Sequence, residues 1–449
     1  MKSLLFILIL LFITGCANKI PTHNEVLDKT TLKENLNEPK IWSKVVDNGN
    51  VDTNWIKTFN DPVMLKLVDE ALKNNRDIRS LKIQVDKSST LVRKAASALK
   101  PTVGLSGKYD NRNTKGLDEI YGGGLAIGWE LDVWGRLKLS KEAAVAKDLA
   151  TQSDYEFARQ SLVASTAKAW VMTTTSKVQS EYSKNIVSIF KKELKIMEVK
   201  YEIGQVDKKS VYLAKSNLTS SKNAYSKAII AYEDAQRSLE LLLGRYPSAL
   251  IKGTDKLTTI STSIPVGIPS EILQRRPDLV AAEQRVASAF YKQRESKLLR
   301  LPKFTFSIGA TLNNITDAAS DLVAGIFAPL YQGGAIAAEM DKATLVQKQS
   351  IEEYAQKALI AFNEVETYLS LEERLLEQET YLKDIVLDNK KLLELTKVSF
   401  EVGEVEYLDV SQANNRLISS EISLVDISSK RIFNRINLHL ALGGGFDIR

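Results

Sequence analysis

The chain of 449 residues is poor in the side chains from which enzyme centres are usually built. It has one cysteine, Cys16, and two histidines, His23 and His439, near opposite ends. A single cysteine excludes an intrachain disulfide and a thiolate metal cluster within one chain. The patterns HExxH and GxSxG and a phosphate-binding loop are absent too, so no metal, cofactor or catalytic group is expected. His439 reads as a residue of a helix surface or of a C-terminal interaction. Long apolar runs are equally scarce: beyond residue 13 no stretch of about 18 apolar residues occurs, the length a membrane helix needs. A crossing by the rest of the chain is therefore a β-barrel, because lipid leaves open sheet edges unsatisfied. One-sided charge is lacking as well. The formal net charge of +6 is spread over segments that mix Glu and Asp with Lys, which excludes the concentrated basic face of a nucleic-acid binder.

The first sixteen residues are informative instead. Lys2 and Ser3 precede an apolar run from Leu4 to Ile13, which suits the hydrophobic part of an export signal and is too short to span a bilayer. Ile13-Thr14-Gly15-Cys16 resembles the lipobox of bacterial lipoproteins, in which the cysteine is acylated and becomes the new N-terminus. That resemblance implies a signal peptide over 1–15 and covalent lipid on Cys16. With Ala17 rather than Asp next, it also implies transfer to the outer membrane. A polar, lipid-anchored arm over 16–60 then leads to the body.

The body is written twice. Val199-Lys200-Tyr201-Glu202-Ile203-Gly204-Gln205-Val206 returns as Val398-Ser399-Phe400-Glu401-Val402-Gly403-Glu404-Val405, an offset of 199 residues. The same offset pairs Val211 with Val410, Ala214 with Ala413, Leu239 with Leu438 and Gly244 with Gly443 without a gap. Two structural repeats follow, 61–244 and 271–443, joined by an extended linker over 245–270 and ended by a tail at 444–449.

Each repeat holds a helix stopped by proline, Pro101 or Pro302, then two alternating segments, then a long helix and its return. Phe304, Phe306, Ile308, Ala310 and Leu312 alternate with Thr305, Ser307, Gly309 and Thr311; Val103, Leu105, Gly107 and Tyr109 alternate with Thr102, Gly104, Ser106 and Lys108. This period of two predicts strands near 102–110, 122–132, 303–312 and 321–330, long enough to cross hydrocarbon at a tilt. Small residues on the second face leave room for a lumen; a soluble sheet made of two hairpins is the other reading of the same alternation. Four strands are too few to close a membrane barrel, for which about eight is the minimum. Three copies supply twelve and leave no edge. The runs Leu137 to Glu202 and Ala335 to Glu401 contain no proline and are poor in glycine. At about 1.5 Å per residue they make rods of about 100 Å, which need neighbours along their length, as in a coiled coil. Return helices are expected from about Asp207 to Leu243 and from Tyr407 to Leu442.

Longer motifs resemble one family. Trp55-Ile56-Lys57-Thr58-Phe59-Asn60-Asp61-Pro62, Gly128-Trp129-Glu130-Leu131-Asp132-Val133-Trp134-Gly135-Arg136 and Ala328-Pro329-Leu330-Tyr331-Gln332-Gly333-Gly334 are three of them. The most specific is Val266-Gly267-Ile268-Pro269-Ser270-Glu271-Ile272-Leu273-Gln274-Arg275-Arg276-Pro277-Asp278-Leu279. The chain is similar in these to the outer-membrane efflux protein family of TolC-like exit ducts, in particular its lipoprotein branch, over nearly all of the mature sequence. The resemblance implies a mixed α/β membrane protein, a trimeric twelve-stranded transmembrane β-barrel continued by a long periplasmic α-helical barrel with a mixed equatorial region. It implies a homotrimer in outer-membrane lipid, partnered by a periplasmic membrane-fusion adaptor and a proton-driven inner-membrane efflux transporter. Drugs or other small molecules would pass passively. The alternatives are the duct of a type I protein secretion system and a non-conducting structural periplasmic lipoprotein.

Two glycine turns join the long helices to their returns: Gly204, Gln205 and Val206, and Gly403, Glu404 and Val405. Glycine supplies the left-handed backbone that such turns need, and the resemblance makes these turns the adaptor-docking sites. Asp207, Glu401, Glu404, Glu406 and Asp409 concentrate negative charge close by. A periplasmic gate is therefore expected among Asp207, Glu401, Glu406, Tyr407, Asp409, Gln412, Asn415 and Arg416, with a plain solvated helix tip as the alternative. Lipoprotein members of the family often carry Leu-Asp-Ala-Gln-Arg just after this turn. Here the segment is Ser411-Gln412-Ala413-Asn414-Asn415. Gln412 and Asn415 replace the two charged groups, which argues against a copied ionic lock and for closure through Tyr407, amide hydrogen bonds or the acidic cluster.

Overall fold

A computed structural model describes residues 25, 42–43, 54–110, 120–258, 260, 267, 269–313 and 317–445. The expected signal peptide, the lipid site Cys16, most of the arm and the end of the tail lie outside the described residues. The elements are α1 (Pro62–Asn74), α2 (Arg76–Ser97), β1 (Thr102–Asp110), β2 (Ile120–Leu131), α3 (Arg136–Glu202) and α4 (Lys208–Leu242) in the first half. The second half gives α5 (Pro269–Arg275), α6 (Pro277–Lys297), β3 (Lys303–Asn313), β4 (Asp317–Phe327), α7 (Ala335–Glu401) and α8 (Tyr407–Ala441). Two short 3₁₀ turns, Trp55–Phe59 and Leu298–Arg300, precede α1 and β3. Each long helix has 67 residues and each return helix 35. Among the described residues no helix is long and apolar enough to cross a membrane. The chain divides into two compact units.

The strand unit is formed by 1–37, 81–155 and 277–359. Its four strands lie in the order β1-β2-β3-β4, every neighbour antiparallel. The register collects the apolar residues on one face: Leu105 opposite Leu125, Leu125 opposite Ala310, Ile127 opposite Ile308, and Ile308 opposite Leu322. On the other face Ser106 stands opposite Gly124, Gly124 opposite Thr311 and Gly309 opposite Asp321. Aromatic pairs mark both ends of the apolar face, Tyr109 with Tyr121 and Trp129 with Phe306. The Trp129 indole N–H also donates to the Leu99 carbonyl at 3.0 Å.

β4 departs from the expected 321–330, starting at Asp317 and stopping at Phe327. Its start is hidden in sequence because Ala318, Ala319 and Ser320 carry no apolar alternation, yet they pair with Leu312, Thr311 and Ala310. It stops where β3 begins: Pro302 and Pro329 lack the N–H that would continue a ladder. Beyond the strands Leu139, Ala143 and Ala146 of α3 pack on Ala287, Phe290 and Tyr291 of α6. Asp132 satisfies the open N–H groups that start α3, accepting from Leu137 and Lys138 at 2.9 Å each.

The turn unit is formed by 38–80, 156–276 and 360–449. Here parts of the expected arm and linker pack into the body. Trp55, Ile56 and Phe59, counted in a polar arm, are buried core residues, as is Trp42, whose indole donates to the Gly267 carbonyl at 3.1 Å. These aromatics make the segment too apolar to remain in solvent. The linker begins docked, because Ala249, Leu250 and Ile251 donate their N–H groups to the buried Glu240 carboxylate. It ends in a helix, α5, that starts at Pro269. His439 is likewise not a surface residue: it is buried, with its ring stacked on Trp55 at 5.3 Å.

Each repeat closes on its own beginning. Asn75 caps α2 through its Oδ1 and donates Nδ2 to the Leu242 carbonyl at 3.0 Å; Arg276 does the same to the Ala441 carbonyl at 3.2 Å. Gly244 and Gly443 follow these carbonyls with φ of 71° and 67°. A Cβ on Gly244 would meet the Asn74 carbonyl oxygen at 2.7 Å, and one on Gly443 would meet Arg275 and Arg276 backbone at 3.0 Å.

Candidate functional site: the two helical turns and their base

α3 ends by one C-terminal device. Gly204 takes φ 74°, its N–H reaches the Tyr201 carbonyl, and Gln205 N–H reaches back to Lys200 at 2.8 Å. α7 repeats it with Gly403 at φ 82° and Glu404 N–H on Ser399 at 2.9 Å. These bonds satisfy helix carbonyls that would otherwise be orphaned, and only glycine enters the left-handed region without strain. A Cβ at either glycine would meet nothing within 4 Å. The backbone angle, not crowding, requires glycine there, and the surface over both turns is open. Ile203 and Val402 are exposed apolar groups beside the glycines, whereas Val206 packs onto the cluster beneath.

The acidic residues divide by task. Asp207 is the N-cap of α4, accepting from Ser210 N–H at 2.9 Å and Ser210 hydroxyl at 2.8 Å; these bonds hold its carboxyl below the usual range. Glu406 and Asp409 form a reciprocal capping box on α8, with Glu406 N–H donating to Asp409 at 3.0 Å. Glu404 accepts from the Ser399 hydroxyl at 3.0 Å, and Glu401 is exposed. Much of the negative charge expected in a gate thus also starts helices.

Tyr407 is 3 % exposed and does not face open space. Its hydroxyl donates to Glu193 Oε2 at 2.7 Å, and Asn414 Nδ2 donates to Oε1 of the same carboxylate at 3.3 Å. Burial pushes the Glu193 carboxyl above its ordinary range, against the Tyr407 bond that lowers it. A second link, Asn217 Nδ2 to Ser411 Oγ at 2.7 Å, ties α4 to α8. Around them Met197, Ala214, Leu393, Val410 and Ala413 form the apolar base of the turns. Gln412, Asn415 and Arg416 are instead exposed on α8. The structure therefore brings Tyr407 into the base and leaves Asp409, Gln412, Asn415 and Arg416 on open surface. Glu193 and Asn217 were missed. Their signal was a polar side chain on the core stripe, since Glu193 sits between Phe190 and Met197 at spacings of three and four. Among the described residues no group of His, Cys, Asp and Glu is arranged to hold a metal.

The sequence profile of the outer membrane efflux protein family matches residues 67–245 and then 268–444. This chain belongs to that family. The two matched stretches overlap the repeats expected over 61–244 and 271–443, and each half matches the family pattern by itself. Among relatives, the cation efflux system protein CusC of Escherichia coli O6:H1 is 26 % identical over 408 residues, covering 88 % of both chains. A probable outer membrane lipoprotein of Salmonella typhimurium, SilC, is 25 % identical over 468 residues and 99 % of both. Among solved structures, the Campylobacter jejuni CmeC outer membrane channel shares the fold with a TM-score of 0.84 at 22 % identity, over 90 % of each chain. The protein is an outer-membrane exit channel of an efflux system and not an enzyme. Its fold is that of trimeric ducts made of a strand barrel and a long periplasmic helical barrel.

Proposed function

We propose that three copies assemble into the exit duct of a tripartite pump, and that the duct passively conducts drugs or other small molecules handed over by a periplasmic adaptor and a proton-driven inner-membrane transporter. The observation that carries this reading is the sheet: one apolar face, one face of mainly small and polar residues, and two outer strands, β1 and β4, that each pair on one side only among the described residues. Such a sheet is stable in lipid only when closed. The turns Gly204-Gln205-Val206 and Gly403-Glu404-Val405 are the adaptor seats, supported by their open surface and exposed apolar neighbours. The gate lies on the exposed face of α8, at Asp409, Gln412, Asn415 and Arg416, with Tyr407 holding that helix from behind. Asp207, Glu401 and Glu406 contribute charge around it. Acylation of Cys16, supported by the lipobox and by the name of the SilC relative, tethers each copy to the outer membrane.

Crosslinking from 204–206 and 403–405 in intact cells tests the pathway. The expected capture is an adaptor with an inner-membrane pump. Capture of a secretion ATPase would replace the substrate class, and purified trimers that conduct no ions in planar bilayers would remove the duct itself.

A further inference from the structure

The helix end of the sheet carries positive charge that the described residues do not neutralise. Residues 91–101, which lead into β1, hold Arg93, Lys94 and Lys100 and no acid; residues 296–302, which lead into β3, hold Lys297 and Arg300 and no acid. All five are exposed. Other cations of the same unit are paired, Lys82 with Asp86, Arg136 with Glu130 and Lys292 with Glu295, yet among the described residues none of the five is in an ion pair. Two tryptophans fix the side of the sheet on which this charge lies. Trp129 stands on the apolar face with Ile127 and Leu131, and its indole donates to the Leu99 carbonyl at 3.0 Å, holding the connector that carries Lys100. Trp134 lies against Phe304, of the same face, with ring centroids 6.3 Å apart. Its indole donates to the Pro302 carbonyl at 2.8 Å, holding the connector that carries Arg300. Both connectors are therefore fastened at the foot of the apolar face. Tryptophans in such a position sit at headgroup level, with an apolar ring and a polar N–H. The cations stand one step beyond them, at the depth of the lipid phosphates.

Resting on the trimer reading above, we infer that Lys100, Lys297 and Arg300, with Arg93 and Lys94 behind them, form a binding surface for the phosphate groups of anionic phospholipids in the periplasm-facing leaflet of the outer membrane. Charge complementarity and continuity with the apolar face select this occupant. Leu131, Phe304 and Ile326 lie side by side at the foot of that face, so a lipid whose acyl chains run along them brings its headgroup to the cations. Arginine meets phosphate through two parallel hydrogen bonds and lysine as a flexible point charge. Each repeat supplies one of the two basic connectors, and three copies carry the surface around the whole barrel.

Spin-labelled lipids in phosphatidylcholine bilayers test the surface on the full-length trimer. The parent should restrict labelled phosphatidylglycerol about fivefold more strongly than labelled phosphatidylcholine, the gain of one cation beside an anionic headgroup. In about 1 M salt, where the Debye length is about 3 Å, that preference should fall. The triple variant Lys100→Gln, Lys297→Gln, Arg300→Gln should lose it, while Lys147→Gln, an exposed position farther along α3, should keep it. A preference unchanged in the triple variant, or unmoved by salt in the parent, overturns the surface. A triple variant that falls apart into monomers in mild detergent shows the cations serving carboxylates of a neighbouring copy, which overturns it as well. A parent that restricts neither lipid removes the membrane-barrel reading along with the surface.

Discussion

The Tyr407 hydroxyl donates at 2.7 Å to a carboxylate, Glu193, that burial makes reluctant to ionise. The bond ties the start of a return helix in one repeat to the long helix of the other. Because the folded pKa of Glu193 is raised, its contribution to stability is whole below the ordinary carboxyl range and is lost as pH rises through the raised value. Above that point the buried charge is a cost that Tyr407 and Asn414 only partly offset. Glu193→Gln, neutral at every pH and able to accept from Tyr407, should melt higher than the parent at pH 8, with the gap narrowing toward about pH 4. Tyr407→Phe should cost about 1–3 kcal/mol at pH 8, the price of an unmet buried acceptor. Thermal melts at both pH values decide it; a lower melt for Glu193→Gln at pH 8 contradicts the account.

His439 titrates in the opposite sense. Burial, and then the neighbouring Arg435 charge, lower its pKa to about 3 from an ordinary 6.5. The neutral ring stacked on Trp55 therefore contributes stability in full above pH 6.5, and that contribution is lost as pH falls toward 3. His439→Phe keeps an aromatic ring against Trp55 and Phe59 but cannot take a proton. Its melting temperature should fall less than the parent's between pH 7 and pH 4. Parallel slopes over that range would count against a titrating His439.

Glycines of two kinds separate folding from docking. Gly204→Ala and Gly403→Ala add only left-handed strain, about 1–2 kcal/mol each, because nothing lies within 4 Å of the new Cβ. Gly244→Ala adds the same strain and a collision with the Asn74 carbonyl, so denaturant unfolding should place it well below both. The expected pattern in cells is that the turn variants fold and lose adaptor crosslinks while Gly244→Ala loses folded protein. Equal stability losses at all three positions would refute the distinction.

On the exposed face of α8, Asp409 and Gln412 should differ. Asp409→Ala opens a capping box and should cost about 0.5–2 kcal/mol, whereas Gln412→Ala removes no bond that supports the helix start. Single-channel conductance should change for both, with a stability loss for Asp409→Ala alone. Unchanged conductance in both takes these positions out of the gate.

Much of this was legible in sequence because repetition and periodicity are local properties. Glycine turns at 204 and 403 follow from the duplicated octapeptide, and the rods follow from long runs without proline. The strands could be read where large residues alternate, as from Phe304 to Leu312, and were blurred where they do not, as at Ala318-Ala319-Ser320. Three-dimensional partnership was not legible. Trp42, Trp55 and His439 lie in polar or helical surroundings in sequence, and only folding brings Trp55 onto His439 and Trp42 onto Gly267. The candidate gate was half readable for the same reason: charge could be counted, but which carboxylates cap helices and which stand free depends on backbone geometry. Tyr407 belonged to the expected set, while the Glu193 that holds it is 214 residues away.

The equal lengths of the paired helices, 67 with 67 and 35 with 35 residues, act as a ruler with two matching edges. In an assembly that must present six turns on one plane, a single inserted residue moves one turn by about 1.5 Å along its rod and rotates it by about 100°. Three docking points would then stand proud of the other three. In the proposed assembly, changes in span would be tolerated only as matched edits in both hairpins, and the proposed adaptor would read the height of each turn as well as its side chains.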